Sequence, residues 1–146
     1  MLCFTGNCVA PLGMKDRRIE DNQISASSEF EGKSDNYFSA KYARLDNQSG
    51  KIGNIWMAGG WVAGEQDVNQ WIQVIFDVLR NVAGIITQGR ITKNPDREDE
   101  WVSEYKVKYS NDEGDSLQYV KDTNGQNEEV RYNMKYNQLF LTTIHE

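Results

Sequence analysis

The chain has 146 residues, 38% hydrophobic and 26% charged, with a formal net charge of −6. That is long enough for one domain with its own core, too short for two ordinary ones, and too apolar for a disordered chain. The acidic balance excludes a general nucleic-acid binder, which needs clustered Lys and Arg (Arg17-Arg18 is too small a cluster), and no run of about 18 apolar residues offers a transmembrane helix.

In chain order, Met1 to Asn7 reads as a leader or linker and Cys8 to Glu146 as a single domain. The first residues, Met1-Leu2-Cys3-Phe4-Thr5, are too few and too weakly charged for a signal peptide. Cys3 and Cys8 are the only cysteines, and without further Cys or His partners they make no zinc site. Phe38, Tyr42 and Leu45 have helical spacing over about two turns, and the segment reads as an ordered loop. Asn47-Gln48-Ser49 is compatible with glycosylation.

Alternation then dominates. Trp71 to Phe76 is apolar except at Gln73 and reads as a central strand covered on both faces. Val82 to Thr87 reads as a second such strand. From Trp101 to Tyr109, Trp101, Ser103, Tyr105, Val107 and Tyr109 share one face of a half-buried strand, opposite Val102, Glu104, Lys106 and Lys108. Ser110 to Asp115 is a turn, Leu117 to Lys121 a short strand, and Asn124-Gly125 a hairpin turn before the alternating Val130, Tyr132 and Met134. Many short strands separated by Gly, Asn and Asp turns predict an all-β sandwich or barrel.

Five ordered segments resemble the discoidin (F5/8 type C) family. They are Cys8 to Met14 continued by Ile19 to Ser28; Tyr42 to Leu45; Asn69 to Val74; Val82 to Arg90; and Trp101 to Tyr105 ending at Tyr109 to Asp112. The resemblance implies an all-β, jelly-roll β-sandwich of the galactose-binding-domain-like type, with recognition loops at one end and a role outside the cell. Glycans, anionic phospholipids and collagen or other proteins are ligands across such a family, and fold alone does not choose among them. The sequence departs from the pattern at Arg17, where a glycine is usual, and at Val78-Leu79-Arg80-Asn81, where the link between two strands usually contains glycine. The resemblance also implies a domain lacking its last strands and final cysteine, leaving Cys8 free, paired with Cys3, or in a disulfide outside this chain.

Binding rather than catalysis is the expectation. The single histidine is His145, and no nucleophile elbow, His-Glu-x-x-His pair, P-loop or dinucleotide fingerprint occurs. No metal site or cofactor is expected; Asp96, Glu98, Asp99 and Glu100 offer oxygen ligands for calcium but lack the spacing of a regular calcium loop. The resemblance places the recognition loops between Ser27 and Trp61. Tyr37 and Phe38 lie there in a polar stretch, and Trp56-Met57 precedes Ala58-Gly59-Gly60-Trp61. An exposed ring offers a large apolar face at low entropic cost, suited to a sugar or to lipid. Trp56 and Trp61 can equally plug the sandwich. Arg44 and Arg90 adjoin matched segments. Arg90 either meets an anionic group on a ligand or fixes a loop through an internal carboxylate. Gln70, Trp71, Gln88 and Trp101 read as structural. The candidate ligand-binding residues are therefore Tyr37, Phe38, Trp56, Met57 and Arg90. A cell-surface or matrix glycan is the expected ligand, with anionic phospholipid, or collagen or a receptor, as alternatives.

Overall fold

The computed structural model describes residues 11–31, 37–82, 84–90, 100–102, 104–111, 116–120 and 134–144, the last segment and positions 52, 55 and 104 through their backbone alone. Seven strands occur among these residues: β1 Ile24–Ala26, β2 Gly50–Ile52, β3 Ile55–Met57, β4 Trp71–Val82, β5 Glu104–Ser110, β6 Gln118–Tyr119 and β7 Met134–Ile144. Among the described residues helix is confined to two 3-10 turns, Asp21–Gln23 and Ala40–Tyr42. The second falls where helical spacing suggested an ordered loop.

Five strands form one antiparallel sheet in the order β1-β4-β7-β5-β6. Strands β2 and β3 form a separate hairpin. The order places the long strands β4, β7 and β5 in the middle, with short strands at both edges. Short edges limit the unpaired backbone that invites aggregation.

The core lies on one face of this sheet. Ile24, Ile72, Phe76, Val82 and Val107 come from the strands, Ile19, Ala40 and Val120 from flanking segments, and all are buried. Leu12, Met14, Trp61, Val74, Tyr105 and Tyr109 pack against them. The alternation read over Tyr105, Val107 and Tyr109 therefore points to the core as expected. Burial of each aliphatic side chain is worth about 1.5–3 kcal/mol.

Three expectations change. The runs at Trp71 and Val82 are not two strands, because β4 continues from Trp71 through Val82. Its pairing with β7 is irregular between Ile75, opposite Gln138, and Arg80, opposite Tyr136. The extra residues of β4 bulge outward, which exposes Asp77, Val78, Leu79 and Arg80. Residues 84–89 then run outside any strand to Arg90, which bridges Glu100. Finally, Trp101 precedes β5 and is 71% exposed, so it is not a packing residue of that strand.

The early turn that resemblance flagged at Arg17 is left-handed there, with φ 65°. A Cβ makes this conformation costly, which is why glycine suits it. Close by, the Arg18 guanidinium bonds Asp16 and holds its carboxyl below the usual carboxylate range. Arg44 secures the same region from beneath. Its buried guanidinium donates to the carbonyls of Lys41 and Met14, and to Asp21 at 2.6 Å. Cys3, Cys8, Asn124-Gly125, Val130, Tyr132 and His145 lie outside the described residues.

Candidate recognition loops

Three stretches of chain converge beside the β2–β3 hairpin. The Ala58 N–H donates to the Tyr37 carbonyl, Val62 N–H to Phe38, and Phe30 N–H to Val62. These bonds lace residues 30, 37–38 and 58–62 together. Glu29 adds a side-chain brace, accepting from the Ser39 hydroxyl and the Ala40 N–H at the start of the 3-10 turn. Gln70 closes the base. Its amide oxygen accepts from the hydroxyls of Ser27 and Ser28, and its amide nitrogen donates to Asp67. Gln70 itself is buried and fully engaged in this network, which bears out its structural reading.

The hairpin itself follows from sequence. Ile52 opposes Ile55 across the two-residue loop Gly53-Asn54. Gly53 has φ 59°, as a tight hairpin turn with glycine first requires. Lys51 faces Trp56 in this register, and its ammonium lies 5.8 Å from the indole. Strand alternation then decides the two candidate neighbours: Trp56 is 53% exposed, whereas Met57 is buried. Gly59, with φ 79°, brings the outgoing chain against the backbone of Gln48 and Ser49.

Beside the hairpin, Phe30, Tyr37 and Phe38 form an edge-to-face cluster. The Phe38 ring lies 4.6 Å from Tyr37 and 5.4 Å from Phe30, centroid to centroid. Phe38 is buried, Tyr37 half-buried and Phe30 exposed. The Arg90 guanidinium covers the Phe38 ring at 5.4 Å and bonds Glu100 at 2.6 Å. The structure thus brings Tyr37, Phe38 and Arg90 together, and sets Phe38, Met57 and Arg90 below the surface rather than on it. Arg90 fixes a loop through an internal carboxylate, the alternative left open by its sequence position. Of the acidic run, Glu100 alone lies among the described residues, where no group of three or more His, Cys, Asp and Glu side chains is placed to hold a metal ion.

Trp61 takes the structural role open to either tryptophan. Its ring packs on the core and its indole N–H donates to the Ser28 carbonyl at 2.9 Å. Asn47 of the glycosylation triplet is half-buried and donates its amide to Tyr42. Sequence reasoning missed Phe30 and Trp101. Phe30 sits between acidic residues, where a ring has no core to join, and that was a usable signal. Trp101 shared its phase with the β5 core residues, so alternation misassigned it.

The F5/8 type C domain model matches residues 23–144. This chain belongs to the F5/8 type C, or discoidin, domain family. The discoidin domain is 40% identical over 112 residues to mouse EGF-like repeat and discoidin I-like domain-containing protein 3, covering 75% of this chain and 21% of the relative. It is 38% identical to pig lactadherin over 112 residues, covering 75% and 25%. It is 32% identical to mouse retinoschisin over 119 residues, covering 80% and 47%. The chain thus spans from about a fifth to a half of these relatives' length. Among solved structures, discoidin II of Dictyostelium discoideum superposes with a TM-score of 0.59 at 22% identity, covering 83% of this chain and 48% of that one. That likeness establishes the shared all-β discoidin fold.

Proposed function

We propose that this discoidin domain is an extracellular, non-enzymatic recognition module that binds a cell-surface or matrix glycan at the β2–β3 hairpin. One observation carries the reading: a tryptophan more than half exposed at a hairpin braced by the Tyr37–Phe38 loop. An exposed indole held by a rigid scaffold costs little entropy to dock against the apolar face of a sugar ring. Trp56 supplies that surface, and the neighbouring loops carry the half-buried Tyr37 and exposed Phe30 above the buried Phe38. Membership of a family of discoidin proteins supports a binding role outside the cell.

Lys51 favours one second reading. An indole with an adjacent ammonium is also a minimal contact for an anionic phospholipid head group. The burial of Met57 weighs against it, because the apolar side chain next to Trp56 in the strand is not available to enter a bilayer.

The two separate on a panel of immobilised neutral glycans, phosphatidylserine vesicles and collagen. Glycan binding that survives raised salt supports the proposal. Binding confined to the vesicles, and weakened by salt, supports the lipid reading, and collagen capture supports a protein partner. Silence across the panel from a folded chain overturns all three.

A further inference from the structure

A second charged-aromatic surface lies on the five-stranded sheet, remote in topology from the hairpin. Lys106 and Lys108 alternate with the fully buried Val107, so both project from the face of β5 opposite the core. Their ammonium groups approach the same ring. Lys106 lies 5.7 Å and Lys108 4.6 Å from the centroid of Tyr119, which stands directly opposite Lys108 on β6. Tyr119 is 45% exposed, and exposed Leu117 precedes it by two residues.

This surface is held in place. Val120 is buried in the core and its N–H donates to the Val107 carbonyl. On the other face of the same strand pair, the Tyr109 hydroxyl donates to Gln118. Each bond fixes β6 against β5, and hence Tyr119 under the two lysines.

We infer that Lys106, Lys108 and Tyr119 form an anion-reading site for a sulfated polysaccharide, separate from the hairpin. Two like charges gathered over one ring repel, and the ring offsets only part of that cost. A sulfate between the ammonium groups relieves the repulsion and gains two charge-assisted hydrogen bonds. Lys106 has a further interaction of its own, so the anion need not be its sole partner. The exposed part of Tyr119 and Leu117 gives the sugar ring an apolar edge to rest on. Charge gathered over a half-exposed ring on a sheet face suits a sulfated glycan chain better than the apolar interior of a bilayer. On a chain of net charge −6, attraction for a polyanion must be local, and this pair of lysines makes it so.

The test is calorimetric titration of the full chain with a heparin-derived octasaccharide, its desulfated counterpart and anionic vesicles. Wild type and Trp56→Ala should bind the sulfated octasaccharide alike, with affinity falling as salt rises. The Lys106→Gln/Lys108→Gln double variant should bind about tenfold or more weakly with an unchanged unfolding midpoint. A double variant that binds as wild type overturns the inference, as does a folded wild type that ignores the sulfated chain. Equal binding of the desulfated chain, or binding only to vesicles, overturns it too. Because Trp56→Ala leaves this binding intact, its failure and that of the hairpin proposal are distinguishable.

Discussion

Arg90 and Glu100 are joined twice. Their main chains exchange both hydrogen bonds, at 2.7 and 3.0 Å, and their side chains form an ion pair at 2.6 Å. The Arg90 side chain is only 9% exposed, while that of Glu100 is 48% exposed. The buried cation therefore depends on a partner that is half in water, and its Nε makes no hydrogen bond among the described residues. Glu100→Gln should cost about 1–2 kcal/mol, below the usual loss for a fully buried pair because solvent reaches the carboxylate. Chemical denaturation of the two proteins checks this. Arg90→Met keeps most of the contact with Phe38 and should cost less than Arg90→Ala.

The tryptophans should divide cleanly. Trp61→Ala removes a ring packed on the core and a hydrogen bond to Ser28, and should cost about 3 kcal/mol. Trp56→Ala removes an exposed ring and should change stability by no more than about 0.5 kcal/mol. Thermal unfolding of the pair measures the contrast. Equal losses would place Trp56 in the core and remove it from the proposed site.

Arg17→Gly should stabilise the domain by roughly 0.5 kcal/mol. Relief of the left-handed strain is partly offset by the added freedom of glycine in the unfolded chain and by loss of the exposed Arg17–Asp21 pair. A lower unfolding midpoint would mean that the ion pair matters more than the backbone.

Gly59→Ala should be costly, about 2 kcal/mol or more. The new methyl would meet the backbone of Gln48 and Ser49, which cannot rotate away, at a φ that L residues rarely adopt. Since those residues lead directly into β2, the substitution should also weaken glycan binding. Comparing the unfolding midpoint and affinity with those of Trp56→Ala separates displacement of the hairpin from loss of the ring.

Where periodicity and chemistry agreed, the sequence was readable. Val107 sits in the core because both neighbours in β5 are lysines that cannot. Discoidin membership was legible from ordered segments rather than any one motif. The path of β4 was not, because a bulge inserts residues without a compositional mark: Val78 and Leu79 read as part of a link between two strands but lie within one, turned outward. Burial in the loops was equally hidden. Phe38 lies in a polar stretch, yet Arg90, more than fifty residues later, covers its ring. Such burial is set by tertiary contacts that local pattern does not carry. The β2–β3 hairpin went unread, although Gly53-Asn54 between Lys51-Ile52 and Ile55-Trp56 carries its signal.

The most direct test of the central claim is a calorimetric titration of a neutral oligosaccharide selected by the panel into wild type and Trp56→Ala, at low and high salt. The account predicts binding by wild type that salt does not alter, and binding about tenfold weaker by a variant with the same unfolding midpoint. Equal affinity of the two proteins would contradict it, showing that the exposed indole of the β2–β3 hairpin does not meet the ligand.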